Sequence, residues 1–141
     1  MVFLNINLFG DSMPLVDFFF SFQGRVRRSH YWYYMIGSNL AYIVLLFLLA
    51  IIASDGEEAL MDGVSIVLGL LMMISGLAVM TRRWHDRDKS GWWSLILLIP
   101  IVGTIYSFIE CGFFDGTPGS NRYGPSPKAV SNSLETQWEY R

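Results

Sequence analysis

The sequence predicts an all-α membrane protein, with about three transmembrane helices, a short N-terminal interfacial segment and an irregular C-terminal tail. Three observations carry this. Residues 31–54, 63–81 and 90–109 contain no Asp, Glu, Lys or Arg, and the charges of the chain are confined to short clusters between them. None of the three stretches shows a polar stripe at helical spacing, and a helix that is apolar all round lies in a large core or in lipid. Only 16% of the 141 residues are charged, against about a quarter in ordinary soluble domains, and a chain of this length has no soluble core able to hide three such helices.

The elements follow in chain order. Residues 1–14 read as a loose leader: no basic residue precedes their apolar letters and no long apolar core follows, so they do not resemble a cleaved signal peptide. A domain over 15–127 opens with Val16, Phe18, Phe19, Phe20 and Phe22, an apolar run too short to cross a bilayer and suited to lying along its inner surface. The first span, 31–54, reaches roughly 36 Å as a helix and crosses a hydrocarbon core of about 30 Å with some tilt. The second, 63–81, is long enough to cross upright. The third, about 90–110, ends at Glu110. Tyr31 and Trp32 open the first span and Trp92 and Trp93 the third, as aromatic anchors at headgroup depth. After Phe114 the composition changes: 116–121 reads as turns, and 128–141 is a polar tail in which Trp138 and Tyr140 can touch a membrane surface.

Loop charges give an orientation. Arg25, Arg27 and Arg28 precede the first span, and Arg82, Arg83, Arg87 and Lys89 follow the second. Asp55, Glu57, Glu58 and Asp62 fill the loop between without a Lys or Arg. Basic loops stay in the cytoplasm, which places the N-terminus and the second loop inside. A straight third span carries the tail outside. Pro100 and Gly103 offer the alternative of a re-entrant element with the tail inside.

The net charge of −2 argues against a nucleic-acid partner. The single cysteine, Cys111, supports neither a disulfide framework nor a metal site, and no cofactor is expected. The most unusual stretch runs from Arg82 to Trp93. Helical spacing places Arg82 four residues before Asp86 and His85 four before Lys89, as candidate pairs. Arg guanidinium groups match phosphate oxygens, so this cluster reads either as an anionic-headgroup site or as a topology signal with local pairing. The Arg25–Arg28 cluster lies on the same side, and together the two are expected to form one basic, aromatic-rimmed surface. His85 beside Asp86 invites acid–base chemistry, but no serine or cysteine is placed to complete a triad. Glu110 is a candidate intramembrane ionisable group.

Four separated stretches resemble the DUF805 family of small bacterial inner-membrane proteins: Phe22-Gln23-Gly24-Arg25 through Tyr31-Trp32; Arg82-Arg83-Trp84-His85-Asp86-Arg87-Asp88-Lys89-Ser90-Gly91-Trp92-Trp93; Leu98-Ile99-Pro100 with Gly103; and Cys111 followed by Gly116-Thr117-Pro118-Gly119-Ser120-Asn121-Arg122-Tyr123-Gly124-Pro125. The resemblance implies a multi-pass inner-membrane protein and implies no activity.

The functional expectation is therefore a non-enzymatic binding or scaffold protein in the bacterial inner membrane. Its contact residues would be Arg25, Arg27, Arg28, Arg82, Arg83, His85, Asp86, Arg87, Lys89, Asn121 and Arg122, facing anionic phospholipid headgroups, a protein partner or a second copy of the chain. The alternatives are an oligomeric transporter or channel subunit, with Gly63, Gly69, Ser75 and Gly76 allowing close helix contact, and a membrane-embedded enzyme using His85.

Overall fold

The computed structural model describes residues 15–52 and 58–128. The leader 1–14, the acidic-loop residues Asp55 and Glu57, and the tail beyond Lys128 lie outside them. The described residues form four α-helices: α1 (Leu15–Phe20), α2 (Arg28–Ile52), α3 (Glu58–Asp86) and α4 (Val102–Gly112). A 3-10 helix, Gly91–Leu98, sits between α3 and α4. The described residues contain no strand, only an isolated bridge between Asn121 and Gly124.

Among the described residues two helices, α2 and α3, are long and apolar enough to cross a membrane. Beyond Tyr34, α2 buries no residue, and before Ser75, α3 buries none of its described side chains. Ile43, Phe47 and Ile66 are each more than 60% exposed. Apolar surface left open on this scale is a solvation statement: its solvent is hydrocarbon rather than water. The protein core lies at one end of the helix pair, where Val26, Tyr31, Tyr34, Val79, Met80, Trp84 and Cys111 pack together. Helix α3 is central and touches every other helical element. Helix α1 docks beside it through Phe18 and Phe19 and leaves Val16 and Phe20 exposed, as is Phe22 just after it.

Small residues on α3 face inward. A Cβ on Gly69 would meet the Tyr42 hydroxyl, and one on Gly76 the Tyr34 hydroxyl, each at 3.6 Å. Ser75 shares a 2.7 Å hydrogen bond with Tyr34. These positions seat α2 tyrosines within one chain, while a Cβ on Gly63 would meet nothing within 4 Å.

The third apolar stretch is not one helix. Its 3-10 part is capped by the Ser90 hydroxyl, which accepts from the Trp92 N–H. At Pro100, which has no N–H to continue a helix, the chain reverses. Val102 N–H donates to the Pro100 carbonyl at 2.7 Å across Ile101, whose φ is 64° and ψ −65°. That is a γ-turn of the positive-φ kind, strained for any residue with a Cβ and more so for a β-branched one. The two arms then touch at Gly103, where a Cβ would overlap the Ile96 carbonyl oxygen. The arms end where they began: Lys89 and Glu110 are ion-paired at 2.5 Å. The straight third span expected from composition is thus replaced by a hairpin. The segment after α4 leaves it at the end of the bundle where α2 starts and α3 stops.

Candidate functional site

The motif 82–89 is the C-terminal end of α3 and the turn that follows it. The helix runs on through Asp86, so Arg83 and His85 lie in its last turn, where the helix dipole favours cations. Asp86 is the centre of a buried network. Arg25 reaches it with Nε at 3.0 Å and with a terminal nitrogen at 2.9 Å, and Arg83 donates to its other oxygen. The Arg25 and Arg83 side chains are 1% and 0% exposed. Two buried cations against one carboxylate would be costly without further acceptors, and main-chain carbonyls supply them. Arg25 donates to Gly119 at 2.8 Å, Gly124 at 3.2 Å and Thr117 at 2.6 Å. Arg83 donates to Cys111 at 2.7 Å and to Phe114.

These carbonyls belong to the segment after α4, which is strapped across the end of α3. Thr117 donates its N–H to the Asp86 carbonyl at 2.8 Å. Asn121 donates from Nδ2 to the His85 carbonyl and to the Thr117 hydroxyl, both at 2.9 Å. Each bond satisfies a carbonyl that the helix end leaves open or fixes the strap itself. Gly116 passes so close to the Asp86 carboxylate that a Cβ would overlap it. Gly119 and Gly124, at φ 69° and 125°, hold conformations that suit glycine. The His85 ring stacks on Tyr123, with centroids 3.7 Å apart and planes 5° from parallel, and its Nδ1 lies 3.2 Å from the Gly24 carbonyl. These are positioning contacts, and none involves a nucleophile.

A second network closes the hairpin. Glu110 accepts from Lys89 at 2.5 Å and from Arg87 at 3.2 and 3.3 Å. The Lys89 ammonium lies 5.4 Å from the Trp84 and Trp93 ring centres and 5.6 Å from that of Tyr106, within cation–π range. Burial pulls the Lys89 pKa down, but hydrogen bonds to Glu110 and Tyr106 outweigh it and hold the group above its ordinary value. Glu110 is therefore an ion-paired anchor of the turn after α3.

Residues 19–125 match the family described as "Protein of unknown function (DUF805)". The chain belongs to the DUF805 family. This DUF805 protein is 37% identical over 111 residues to Inner membrane protein YhaH of Escherichia coli (strain K12), covering 76% of this chain and 87% of that one. It is 33% identical over 113 residues to Inner membrane protein YhaI of the same organism, covering 79% and 89%, and 26% identical over 149 residues to Uncharacterized protein YiiR, covering 89% and 98%. No solved structure matches. The family match ends just after Gly124, the last strap residue that Arg25 holds.

Several sequence pairings change in the DUF805 fold. Asp86 pairs with Arg83 and Arg25, not with Arg82, whose guanidinium turns to the Phe18 carbonyl and ring. His85 does not meet Lys89. The two basic clusters do come together, but as a buried lock: Arg25, Arg82 and Arg83 offer little to solvent. Tyr31 is buried at 3% exposure and is no headgroup anchor, and Trp32 is partly covered, donating to the Gly112 carbonyl at 3.0 Å. Trp92 and Trp93 remain exposed. Arg122 lies outside the lock, paired with Asp88 at 3.2 Å. Sequence reasoning missed Asp115 and Thr117, and no side-chain signal marks the carbonyl acceptors. Among the described residues no group of three or more His, Cys, Asp and Glu is placed to hold a metal ion.

Beside the lock is a groove of about 410 Å³. The strap from Gly116 to Gly119 lines it, together with Arg27, Arg28 and Lys128 and the carboxylates of Asp86 and Asp115. Asp115 lies between Arg28 at 3.6 Å and Lys128 at 2.9 Å. These two cations, Lys128 foremost, hold the Asp115 carboxyl below the usual carboxylate range.

Proposed function

We propose that this DUF805 protein is a non-enzymatic, multi-pass inner-membrane binding protein that takes the phosphate of an anionic phospholipid in the groove beside its arginine lock. The groove carries the reading. Three cationic side chains converge there at the N-terminal end of α2, where helix N–H groups also favour anions. Asp115 is shared between Arg28 and Lys128, and Asp86 is held by Arg25 and Arg83. Exposed ion pairs such as Lys128–Asp115 are weak and yield to a phosphate that accepts from several donors at once. The lock behind the groove holds its floor rigid, which lowers the ordering cost of binding.

The topology that goes with this has α2 and α3 crossing the bilayer, with the N-terminus and the strap both cytoplasmic. The hairpin arms reach roughly 16 Å each, at about 2.0 Å per residue for the 3-10 arm and 1.5 Å for α4. That is about half of a 30 Å hydrocarbon core, so the hairpin dips into one leaflet. Expected result: a Ser120→Cys label reacts with impermeant maleimide only in inside-out vesicles. Reaction in right-side-out vesicles would contradict the arrangement.

The binding test is lipid retention. Protein extracted in mild detergent and analysed by native mass spectrometry should carry phosphatidylglycerol in preference to phosphatidylethanolamine. Arg28→Ala with Lys128→Ala should cut that retention by about 30-fold, from about 1 kcal/mol per basic residue, with only a small fall in thermal midpoint from loss of the exposed Arg28–Phe113 hydrogen bond. Equal retention in the double variant would reject the groove as the site.

A further inference from the structure

We infer that two copies of this chain associate through α2 inside the membrane, paired across a two-fold axis by Asn39. Counting about 1.5 Å per residue, Asn39 lies roughly 16 Å from the Arg28 end of α2 and roughly 20 Å from the Ile52 end. That is near the middle of a helix matched to the bilayer. The residue is exposed. Its neighbours on the same side of the helix, Ile36 and Ile43, are each 63% exposed, so the carboxamide stands on a face otherwise built for lipid.

The hydrogen-bonding inventory makes that position costly. A primary amide has two N–H donors and a carbonyl with two lone pairs. One donor is used within the helix, on the Met35 carbonyl at 2.7 Å. No described side chain meets the remaining donor or the carbonyl oxygen, and acyl chains provide neither donor nor acceptor. Ser38, one residue earlier, shows the contrast: its hydroxyl is satisfied by the Tyr34 carbonyl at 2.5 Å.

A second Asn39 is the group that fits. Two carboxamides facing each other across a two-fold axis exchange N–H···O bonds in both directions, and an isologous interface needs only one patch complementary to itself. Ile36 and Ile43 then pack on either side. Helix association in lipid relies on such packing and on interhelical hydrogen bonds. Of the small residues that composition suggested for oligomer contact, Gly69 and Gly76 seat Tyr42 and Tyr34 of their own chain, and Gly63 stands open near the start of α3, far from Asn39 in sequence. This inference rests on α2 lying in hydrocarbon and is independent of lipid binding in the groove.

The test uses the full chain in density-matched micelles, with sedimentation equilibrium read across protein-to-detergent ratios. Wild type should be a dimer. Asn39→Leu should weaken association about tenfold, the scale of one or two interhelical hydrogen bonds, while Asn39→Gln should keep most of it. Leucine improves the helix for lipid, so the loss cannot come from failed insertion. In membranes, Ile43→Cys should form a disulfide-linked dimer under mild oxidation. A monomeric wild type, a trimer or larger assembly, or a Leu variant as dimeric as wild type would each overturn the inference.

Discussion

Asp86→Ala is expected to destabilise the folded protein by about 3–5 kcal/mol, the cost of breaking a buried ion pair from one side. The physical reason is what remains. Arg25 and Arg83 stay buried, their guanidinium groups brought together by an anion that is gone. Neither can turn to water without releasing the carbonyls of Thr117, Gly119, Gly124 and Cys111. The strap therefore loosens with the pair. The thermal midpoint in detergent should fall by about 10 °C or more, and residues 116–124 should become sensitive to protease under conditions in which wild type is resistant. Gly116→Ala should show the same signature in weaker form, because its Cβ would displace a carboxylate that two arginines hold fixed. An Asp86→Ala protein with an unchanged midpoint would show that the lock does not hold the strap.

The expected size of that effect bears on why the arginine motif looked like a ligand site in the sequence. Buried and exposed arginines have the same letters. The apolar spans are legible because insertion depends on local composition, and α2 and α3 appear where the first two uncharged stretches lie. The meeting of Arg25 with the 82–89 cluster is also foreseeable, since pairing two successive helices brings the start of α2 beside the end of α3. Which arginine takes Asp86 is not. Helical spacing offers Arg82 and Arg83 nearly equally, and the choice is made by Phe18, which draws Arg82 away. Lys89 and Glu110 are brought together only because the chain folds back between them, and the strap's acceptors are carbonyls, which every residue possesses. Pro100 and Gly103 do mark a break in advance. What they leave open is whether the break kinks a crossing helix or reverses the chain, because that depends on tertiary contacts at both ends of the hairpin.

Two substitutions at the turn decide between those outcomes by sign. In a continuous helix, Gly103→Ala would stabilise the chain by about 1 kcal/mol and Ile101→Gly would destabilise it by a similar amount, as helix propensity dictates. The hairpin reverses both. At Gly103 a methyl group would overlap the Ile96 carbonyl oxygen, a backbone atom with no rotamer to change, so the arms must part. Overpacking of this kind costs about 1–3 kcal/mol. The strain would pass to Ser107 and Tyr106 on the same helix, and through Tyr106 to Lys89, whose ammonium it helps to hold at 3.2 Å. At Ile101 the side chain is 73% exposed and contributes little packing, while its φ of 64° costs a β-branched residue about 1–3 kcal/mol. Glycine removes that strain and gives back about 0.5–1 kcal/mol through the added freedom of the unfolded chain. Ile101→Gly should therefore be neutral to stabilising, by up to about 2 kcal/mol, and Gly103→Ala destabilising, as read from unfolding midpoints of the two variants side by side. The opposite pair of signs would restore a straight third crossing and move the strap to the other face of the membrane, where Arg25 could not reach it.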